Sequence, residues 1–393
     1  MAQRVVLAYS GGLDTSVCVT WLAQRGYEVI AFLADVGQGG DVQRLSRRAK
    51  ATGAVRVAVR DLRDEFANDF VVPALQANAV YEGKYLLATA LSRPLIAKHL
   101  VDVAHHMNAG AVAHGCTGKG NDQVRFETTV MALDRRLKII APVREWELTS
   151  RESEMAYAKA HRIPIEATKK QPYSIDENLW GTSIECGALE DPWREPPLDT
   201  YRSVRPVLRT PATPRVVDIG FQRGVPVQLN GQTLGLVSLI QRLNAIGGMH
   251  GVGRSDLVEN RLVGIKSREV YEAPAARMLL EAHQELERLT LDRELYHYKE
   301  TVAVKYSELV YYGLWFTPLK SALDAFVRET QRRVTGSVRV KLHRGTCVAV
   351  GRRSPYSRYQ PHLATYGAED QFDQRLAEGF IKLWALPYLE RPK

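Results

Sequence analysis

Short apolar, β-branched runs alternate with amphipathic stretches through the first 165 or so residues. Val5 to Tyr9, Glu28 to Leu33, Val55 to Val59, Ala111 to His114 and Lys138 to Ala141 have the length and composition of strands. Between them Thr15 to Arg25 and Val42 to Thr52 carry helical periodicity, the second with its basic residues on one face. Strands of nearly unbroken apolar character separated by helices predict a parallel sheet covered on both sides, an α/β fold.

Around Ile163-Pro164-Ile165-Glu166-Ala167 the alternation stops, and six of the 18 prolines fall between Pro192 and Pro214, which predicts an extended connection. Beyond it the pattern is that of an α+β domain. Val225 to Leu229 runs into Asn230-Gly231, the strongest two-residue hairpin signal. A helix is expected near Leu234 to Ala245, then a glycine-rich segment from Gly247 to Gly253, a helix at about Ala275 to Leu289, and another opened by Thr317-Pro318. Ser337 to Leu342 and Cys347 to Gly351 read as a hairpin. Asp370 to Leu383 reads as a terminal helix whose apolar residues, with Trp384, Leu386 and Tyr388, require a partner surface. The expected organisation is therefore a first domain over 1–168, a second over 169–365 and a helical arm over 366–393.

A length of 393 residues agrees with two or three domains, and 45% apolar with 25% charged residues excludes wholesale disorder. The net charge of +9 suits small anions as well as nucleic acid. The basic residues are scattered, with no run of five like charges and no basic stretch interleaved with aromatics, so no nucleic-acid partner is expected. Cys18, Cys116, Cys186 and Cys347 lie far apart without C-x-x-C or histidine spacing, which disfavours a bound metal and a disulfide framework. The N-terminus reads directly into a strand, and no apolar run approaches the roughly 18 residues of a membrane span. A cytoplasmic protein without a membrane partner is expected.

The chemistry concentrates in two loops. Ser10-Gly11-Gly12-Leu13-Asp14-Thr15-Ser16 lies between the first strand and the first helix. Glycines there permit close backbone approach, and the helix start offers free N–H groups and the positive end of its dipole, which together make an anion cradle. Ser10, Thr15 and Ser16 add hydroxyl donors, and Asp14 either holds the helix start or approaches a nucleotide's metal. The pattern G-x-x-x-x-G-K-[ST] is absent, since Gly120 follows Gly118-Lys119. The second loop, Ala113 to Glu127, rises through Gly115, Gly118 and Gly120 into polar residues of both signs. Asp122 suits a ligand ammonium and Arg125 a carboxylate, the demands of an amino acid; a solvated loop with a helix-start ion pair is the alternative.

S-G-G-x-D-[ST] resembles the pyrophosphate loop of N-type ATP pyrophosphatases. Further motifs make the chain resemble the argininosuccinate synthase family over nearly its whole length: Tyr81-Glu82-Gly83-Lys84-Tyr85, Arg93-Pro94-Leu95-Ile96-Ala97, Gly118 to Glu127, Tyr173 to Trp180, Val258-Glu259-Asn260-Arg261, Lys266-Ser267-Arg268, Tyr271-Glu272, Pro318-Leu319 and Glu378 to Trp384. The resemblance implies an adenine nucleotide alpha-hydrolase-like parallel-sheet domain, an α+β synthetase domain and a C-terminal oligomerisation arm, assembled as a homotetramer. It implies ATP as co-substrate with Mg²⁺, bound by Ala8, Tyr9, Ser10, Gly11, Gly12, Leu13, Asp14, Thr15, Ser16, Ala34 and Gly115. Aspartate is expected at Thr117, Asn121 and Asp122, and citrulline at Tyr85, Ala90, Asn121, Arg125, Ser174, Ser183, Glu259 and Tyr271. Asp14, Asp122 and Arg125 are the residues expected to act in catalysis.

On the residues alone, Tyr85 and Tyr271 are equally packed aromatics, Ser174 and Ser183 turn or cap residues, and Glu259 a structural partner of Arg261 or Arg254. Two departures stand out. Ala90 replaces a serine of some family members, which leaves Thr89, water or backbone to supply the hydroxyl, and Ser354 to Leu363 replaces an acidic portion. A tRNA-modifying enzyme with the same loop would ordinarily need paired cysteines, which are missing. A non-catalytic nucleotide-binding regulator would keep the loop and make no product.

Overall fold

The computed structural model describes residues 3–164 and 173–389, so the expected boundary at 168/169 lies outside the described residues. The first part runs β1 Gln3–Ala8, α1 Leu13–Gln24, β2 Tyr27–Asp35, α2 Val42–Ala51 and β3 Arg56–Asp61. After the short helices α3 Arg63–Glu65 and α4 Val72–Gln76 come α5 Ala88–His106, β4 Ala111–Ala113, α6 Asp122–Leu133, β5 Lys138–Ile140, α7 Pro142–Glu145 and α8 Arg151–Ala160. All five strands are parallel, in the order β3-β2-β1-β4-β5. Alternate residues of β1 serve opposite layers. Val5 and Leu7 pack with Val17, Leu22 and Ala158 of α1 and α8, whereas Val6 packs with Leu91 and Leu95 of α5. Strand order reverses between β1 and β4, the place where open parallel sheets bind ligands beyond their carboxyl ends.

The second part contains β6 Ser174–Glu177, β7 Thr182–Glu185, β8 Arg215–Gln222, β9 Val225–Leu229, β10 Gln232–Thr233, α9 Leu236–Met249, β11 Arg254–Asn260, β12 Lys266–Glu272, α10 Pro274–Thr290, α11 Arg293–Tyr311, α12 Pro318–Thr330, β13 Gly336–His343, β14 Thr346–Arg353, α13 Pro361–Ala364 and α14 Leu376–Ala385. Two antiparallel sheets result, in the orders β10-β9-β8-β13-β14 and β11-β12-β7-β6. The chain is thus mixed α/β, a parallel-sheet domain joined to antiparallel sheets and a helical C-terminal region.

Both expected hairpins form, and Thr317 caps α12 ahead of Pro318 by accepting from the Lys320 N–H at 3.4 Å. Two expectations need correction. Helix α9 does not stop at Ala245 but runs through Gly247-Gly248, because an added Cβ would stand 2.9 Å from Pro274 Cβ at the first and would collide with the Ser203 carbonyl oxygen, 2.5 Å away, at the second. The glycines mark close packing. The terminal helix starts at Leu376, since the Asp370 and Asp373 carboxylates accept the N–H groups of Phe372 and Arg375 at 2.8 and 3.1 Å and hold the preceding residues in turns.

A buried polar cluster ties the two parts together. Glu287 of α10 is fully buried and meets Lys299 of α11 at 3.0 Å, and it also accepts from Asn78 at 2.6 Å and Gln331 at 2.7 Å. Against the opposing effect of burial, the Lys299 ammonium and the bonds from Lys299 and Gln331 hold its carboxyl below the usual range. Glu287→Gln leaves the Lys299 ammonium buried without a counter-charge and is expected to cost about 3–5 kcal/mol. A thermal melt beside Glu378→Gln, which removes an exposed pair on α14, checks this; equal midpoints in the two variants would refute it.

Candidate active site

The glycine turn forms at the β1–α1 junction as a consequence of its sequence. Gly11 has φ +80°, where a side chain would be strained and would strike Leu45. Gly12 then takes the cap position of α1 with no side chain to cover the first N–H groups. Ser10 Oγ lies 3.0 Å from Thr15 Oγ1 and accepts from the Gly12 N–H at 3.3 Å, while the Tyr9 and Ser16 hydroxyls meet at 3.1 Å. The Gly11 carbonyl is taken by Arg48 of α2 at 2.7 Å, so a cation stands at the rim. Gly115, just past β4, packs so closely on α1 that a Cβ there would be 2.9 Å from Thr15 Cγ2. The two loops predicted from sequence are therefore adjacent at the switch point.

Ala8 and Ala34 occupy the ends of β1 and β2, where the Ala34 carbonyl accepts from Gln38 at 2.7 Å. Leu13 begins α1. The Asp14 carboxyl faces Glu154 of α8, and burial together with that neighbour pushes the Glu154 carboxyl up to about 8. Asp14 thus has a protein partner that the sequence did not foreshadow. Cys116 is half-buried, and desolvation together with the Asp122 charge pushes its thiol well up, which disfavours the thiolate. His114 accepts the Cys116 N–H at 3.3 Å and faces Glu127 at 3.0 Å, which leaves neither ring nitrogen available.

The second loop leads into α6. Thr117 is exposed on it, and Asn121 and Asp122 stand at the helix start. Asp122 lies between two guanidinium groups, with Arg93 of α5 at 2.8 Å and Arg125 at 2.9 Å, and both hold its carboxyl below the usual range despite burial. Arg93 also reaches Asp176 of β6. Arg125 is 3% exposed. Its Nε donates to the Tyr311 carbonyl at 2.9 Å and its Nη1 to Asp122, while Nη2 is buried and has no partner. An orphaned guanidinium N–H costs free energy unless a ligand satisfies it, and a carboxylate is the group that fits.

Opposite stands the sheet β11-β12-β7-β6. Residues in register share a face, so Asp176, Ser183, Tyr271 and Ser255 form one row, and alternate positions add Ser174, Glu185, Glu269 and Glu259. The other face carries Ile175, Ile184 and Val270 in a small core with Leu189. One face of this sheet is thus the polar wall of the site. Tyr271 stacks on Tyr85 with ring centroids 4.1 Å apart. The Tyr85 hydroxyl accepts the first N–H groups of α5, from Thr89 at 3.0 Å and Ala90 at 3.2 Å, and the Thr89 hydroxyl meets Ser183 at 2.8 Å. Ala90 is buried with its N–H spent on Tyr85, while the Thr89 hydroxyl lies beside Ser183. Ser174 is exposed at the start of β6.

Glu259 pairs with neither Arg261 nor Arg254. It accepts from the Tyr271 and Tyr311 hydroxyls, and burial pushes its carboxyl up against those two donors. Arg261 instead pairs with Glu185 and, at 3.1 Å, with Glu269; the carboxyl of Glu269 is pushed up to about 8 by burial and its acidic neighbours. Tyr311, Arg93, Asp176 and Glu269 all belong to the constellation and none was assigned a role from sequence. The Asp-x-x-Arg spacing of Asp122 and Arg125 signalled their mutual ion pair; nothing in the sequence signalled Tyr311.

Two family models match the chain: an arginosuccinate synthase N-terminal HUP domain over residues 4–164 and an arginosuccinate synthase C-terminal domain over residues 173–390. A protein named argininosuccinate synthase from Geobacillus thermodenitrificans is 57% identical over 384 residues, covering 98% of this chain and 94% of its own. One of the same name from Synechococcus is 55% identical over 388 residues, covering 98% and 97%.

Proposed function

The chain belongs to the argininosuccinate synthase family, and from that premise we propose how its own residues divide the work of the reaction. It is a carbon–nitrogen ligase of arginine biosynthesis that condenses citrulline with aspartate at the expense of ATP, giving argininosuccinate, AMP and pyrophosphate. The ureido carbon is a poor electrophile because nitrogen lone pairs feed its carbonyl, as in a peptide bond. The ureido oxygen attacks the α-phosphorus, pyrophosphate departs onto the turn at Ser10 to Ser16, and the aspartate amine displaces AMP from the adenylate, carrying the former ureido oxygen away with the phosphate.

The observation that carries this division is the orphaned Nη2 of Arg125, a guanidinium that lies close to the Tyr85, Tyr311 and Glu259 side chains. In this reading Arg125 takes the citrulline carboxylate and Glu259 its ammonium, with Tyr85, Asn121, Ser174, Ser183 and Tyr271 around the chain and the Thr89 hydroxyl standing in for the one that Ala90 lacks. Thr117, Asn121 and Asp122 receive aspartate; Asp122 Oδ1 takes one bond from Arg125 and keeps acceptor capacity for an ammonium. The protein's contribution is orientation of three substrates and preorganised charge around the phosphates. Ala8, Tyr9, Ala34 and Gly115 frame the nucleotide.

Magnesium fits this arrangement as a companion of ATP. Such an ion is held by one or two carboxylates plus substrate phosphates and water; Asp14, beside Glu154, would supply a carboxylate, and no group of three or more ligating side chains occurs among the described residues. When bound it neutralises phosphate charge. The arm at 366–393 is assigned to a homotetramer contact, since Leu376, Phe380, Ile381, Leu383 and Trp384 are each more than half exposed. Four unpaired cysteines accord with a cytoplasmic setting.

Incubation of the purified protein with ATP, citrulline and aspartate, followed by mass analysis, tests the reading. AMP and argininosuccinate are expected in equal amounts, with pyrophosphate release that requires citrulline and ignores added RNA. Release that requires RNA instead would refute it.

A further inference from the structure

We propose that Tyr311 is a positioning residue for citrulline, holding the Glu259 carboxylate, the Asn121 amide and the Arg125 guanidinium in the arrangement that receives the amino-acid end of the substrate. This rests on the citrulline assignments above and extends them to a side chain that touches none of the reacting atoms.

Tyr311 is the last residue of α11 and is fully buried. Its hydroxyl donates to Glu259, and Asn121 Nδ2 donates to that same hydroxyl at 2.8 Å. The direction of these bonds is fixed. The Leu262 N–H donates to Asn121 Oδ1 at 2.9 Å, so the Asn121 amide turns its NH₂ to Tyr311, and the single phenolic proton goes to Glu259. Glu259 therefore faces the Tyr311 phenol, the Tyr271 phenol that it shares with Glu269, and the Arg125 and Arg261 charges, which favour its charged form against burial and the like charge of Glu269.

The same residue holds Arg125 in two further ways. Its carbonyl, one of those left open at a helix C-terminus, accepts from Arg125 Nε at 2.9 Å, and its ring lies 4.8 Å from the guanidinium. The chain then turns at Gly313, φ +73°, where a Cβ would stand 2.7 Å from Arg125 Cα; only glycine lets the end of α11 come this close to α6. The phenol is itself locked by stacking on Tyr81, with centroids 3.6 Å apart. With Nε and Nη1 committed, Nη2 is left as the one unpartnered nitrogen of Arg125.

Tyr311→Phe removes the hydroxyl and keeps the ring, the stacking and the carbonyl. The KM for citrulline is expected to rise about tenfold, the loss of one or two hydrogen bonds to charged or buried groups, while kcat at saturating citrulline and the KM for ATP move less than about threefold. With one donor gone, Glu259 protonates more readily, so in the variant the citrulline KM begins to climb at a higher pH on acidification than in the wild type. In a Glu259→Gln background the same change is expected to have less than half its effect on citrulline KM, because the two act through one contact. An unchanged citrulline KM, an unshifted pH profile, or equal rises for all three substrates with a lowered melting temperature would each overturn the proposal. The wild type is assayed first: if it does not consume citrulline, the functional assignment has failed, and that outcome is separate from failure of Tyr311 alone.

Discussion

Gly12→Asp is expected to abolish ATP-dependent turnover while leaving the fold as stable as before or slightly more so. Gly12 has φ −72° and ψ 178°, a conformation open to any residue, and it stands at the cap of α1 where no side chain accepts the first N–H groups. Aspartate is among the preferred residues at such a cap and would add stability of about 1 kcal/mol by bonding those groups. A Cβ at Gly12 meets nothing closer than Ser10 Oγ at 3.5 Å, so it would project into the cradle and not into the core. The carboxylate then takes the very N–H groups assigned to phosphate and places a negative charge against the ATP tail. Losing each such donor costs about a hundredfold or more in rate, and charge repulsion adds to it, so kcat/KM for ATP is expected to fall by at least about a thousandfold. Steady-state kinetics beside a thermal melt checks both halves. A folded, unmelted variant that still uses ATP would place the phosphates elsewhere.

Arg125→Lys is expected to raise the citrulline KM by about a hundredfold, with the KM for ATP changed little. Arg125 Nε donates to the Tyr311 carbonyl and Nη1 to Asp122, which leaves the unpartnered Nη2 for the proposed contact with substrate. A lysine ammonium keeps the charge but cannot span a helix end, a carboxylate and a ligand at once. It will settle on Asp122, whose carboxylate is the strongest acceptor in reach, and leave the citrulline carboxylate without a donor. Each lost charge-assisted bond is worth about 1.5–3 kcal/mol, and about 1.4 kcal/mol is a factor of ten in affinity. Substrate titrations with citrulline varied at fixed ATP and aspartate measure this. A citrulline KM within threefold of the wild type would move the carboxylate away from Arg125.

The parallel-sheet half was legible because its three central strands, β2, β1 and β4, are buried on both faces. Val5 to Leu7, Val29 to Leu33 and Ala111 to Ala113 show an apolar run with nothing polar to interrupt it. The glycine turn was legible through its full pattern, since Gly11-Gly12 alone is a common strand-to-helix turn and it is Ser10, Asp14 and Thr15 around it that point to an anion cradle. The four-stranded wall of the site was not. Ser174-Ile175-Asp176-Glu177 and Lys266 to Glu272 are poor in β-formers because one face is given over to charged and hydroxyl groups, so the feature that makes the wall functional also hides its strands. Gly247-Gly248 misled in the opposite direction, reading as a loop where tertiary contact with Pro274 and Ser203 demands small residues inside a helix. Tyr311 was invisible because no element was expected over the segment that forms α11, and its partners are brought together from positions as far apart as Asn121 and Glu259, which only folding reveals.

The central claim is that citrulline is made reactive through its own ureido oxygen at the α-phosphorus of ATP seated on the opening turn. Citrulline labelled with ¹⁸O in the ureido group, turned over with ATP and aspartate, tests it directly by the masses of the phosphate products. The label is expected in AMP, one atom per turnover, with none in pyrophosphate. Label in pyrophosphate or inorganic phosphate, or unlabelled AMP beside argininosuccinate, would contradict it.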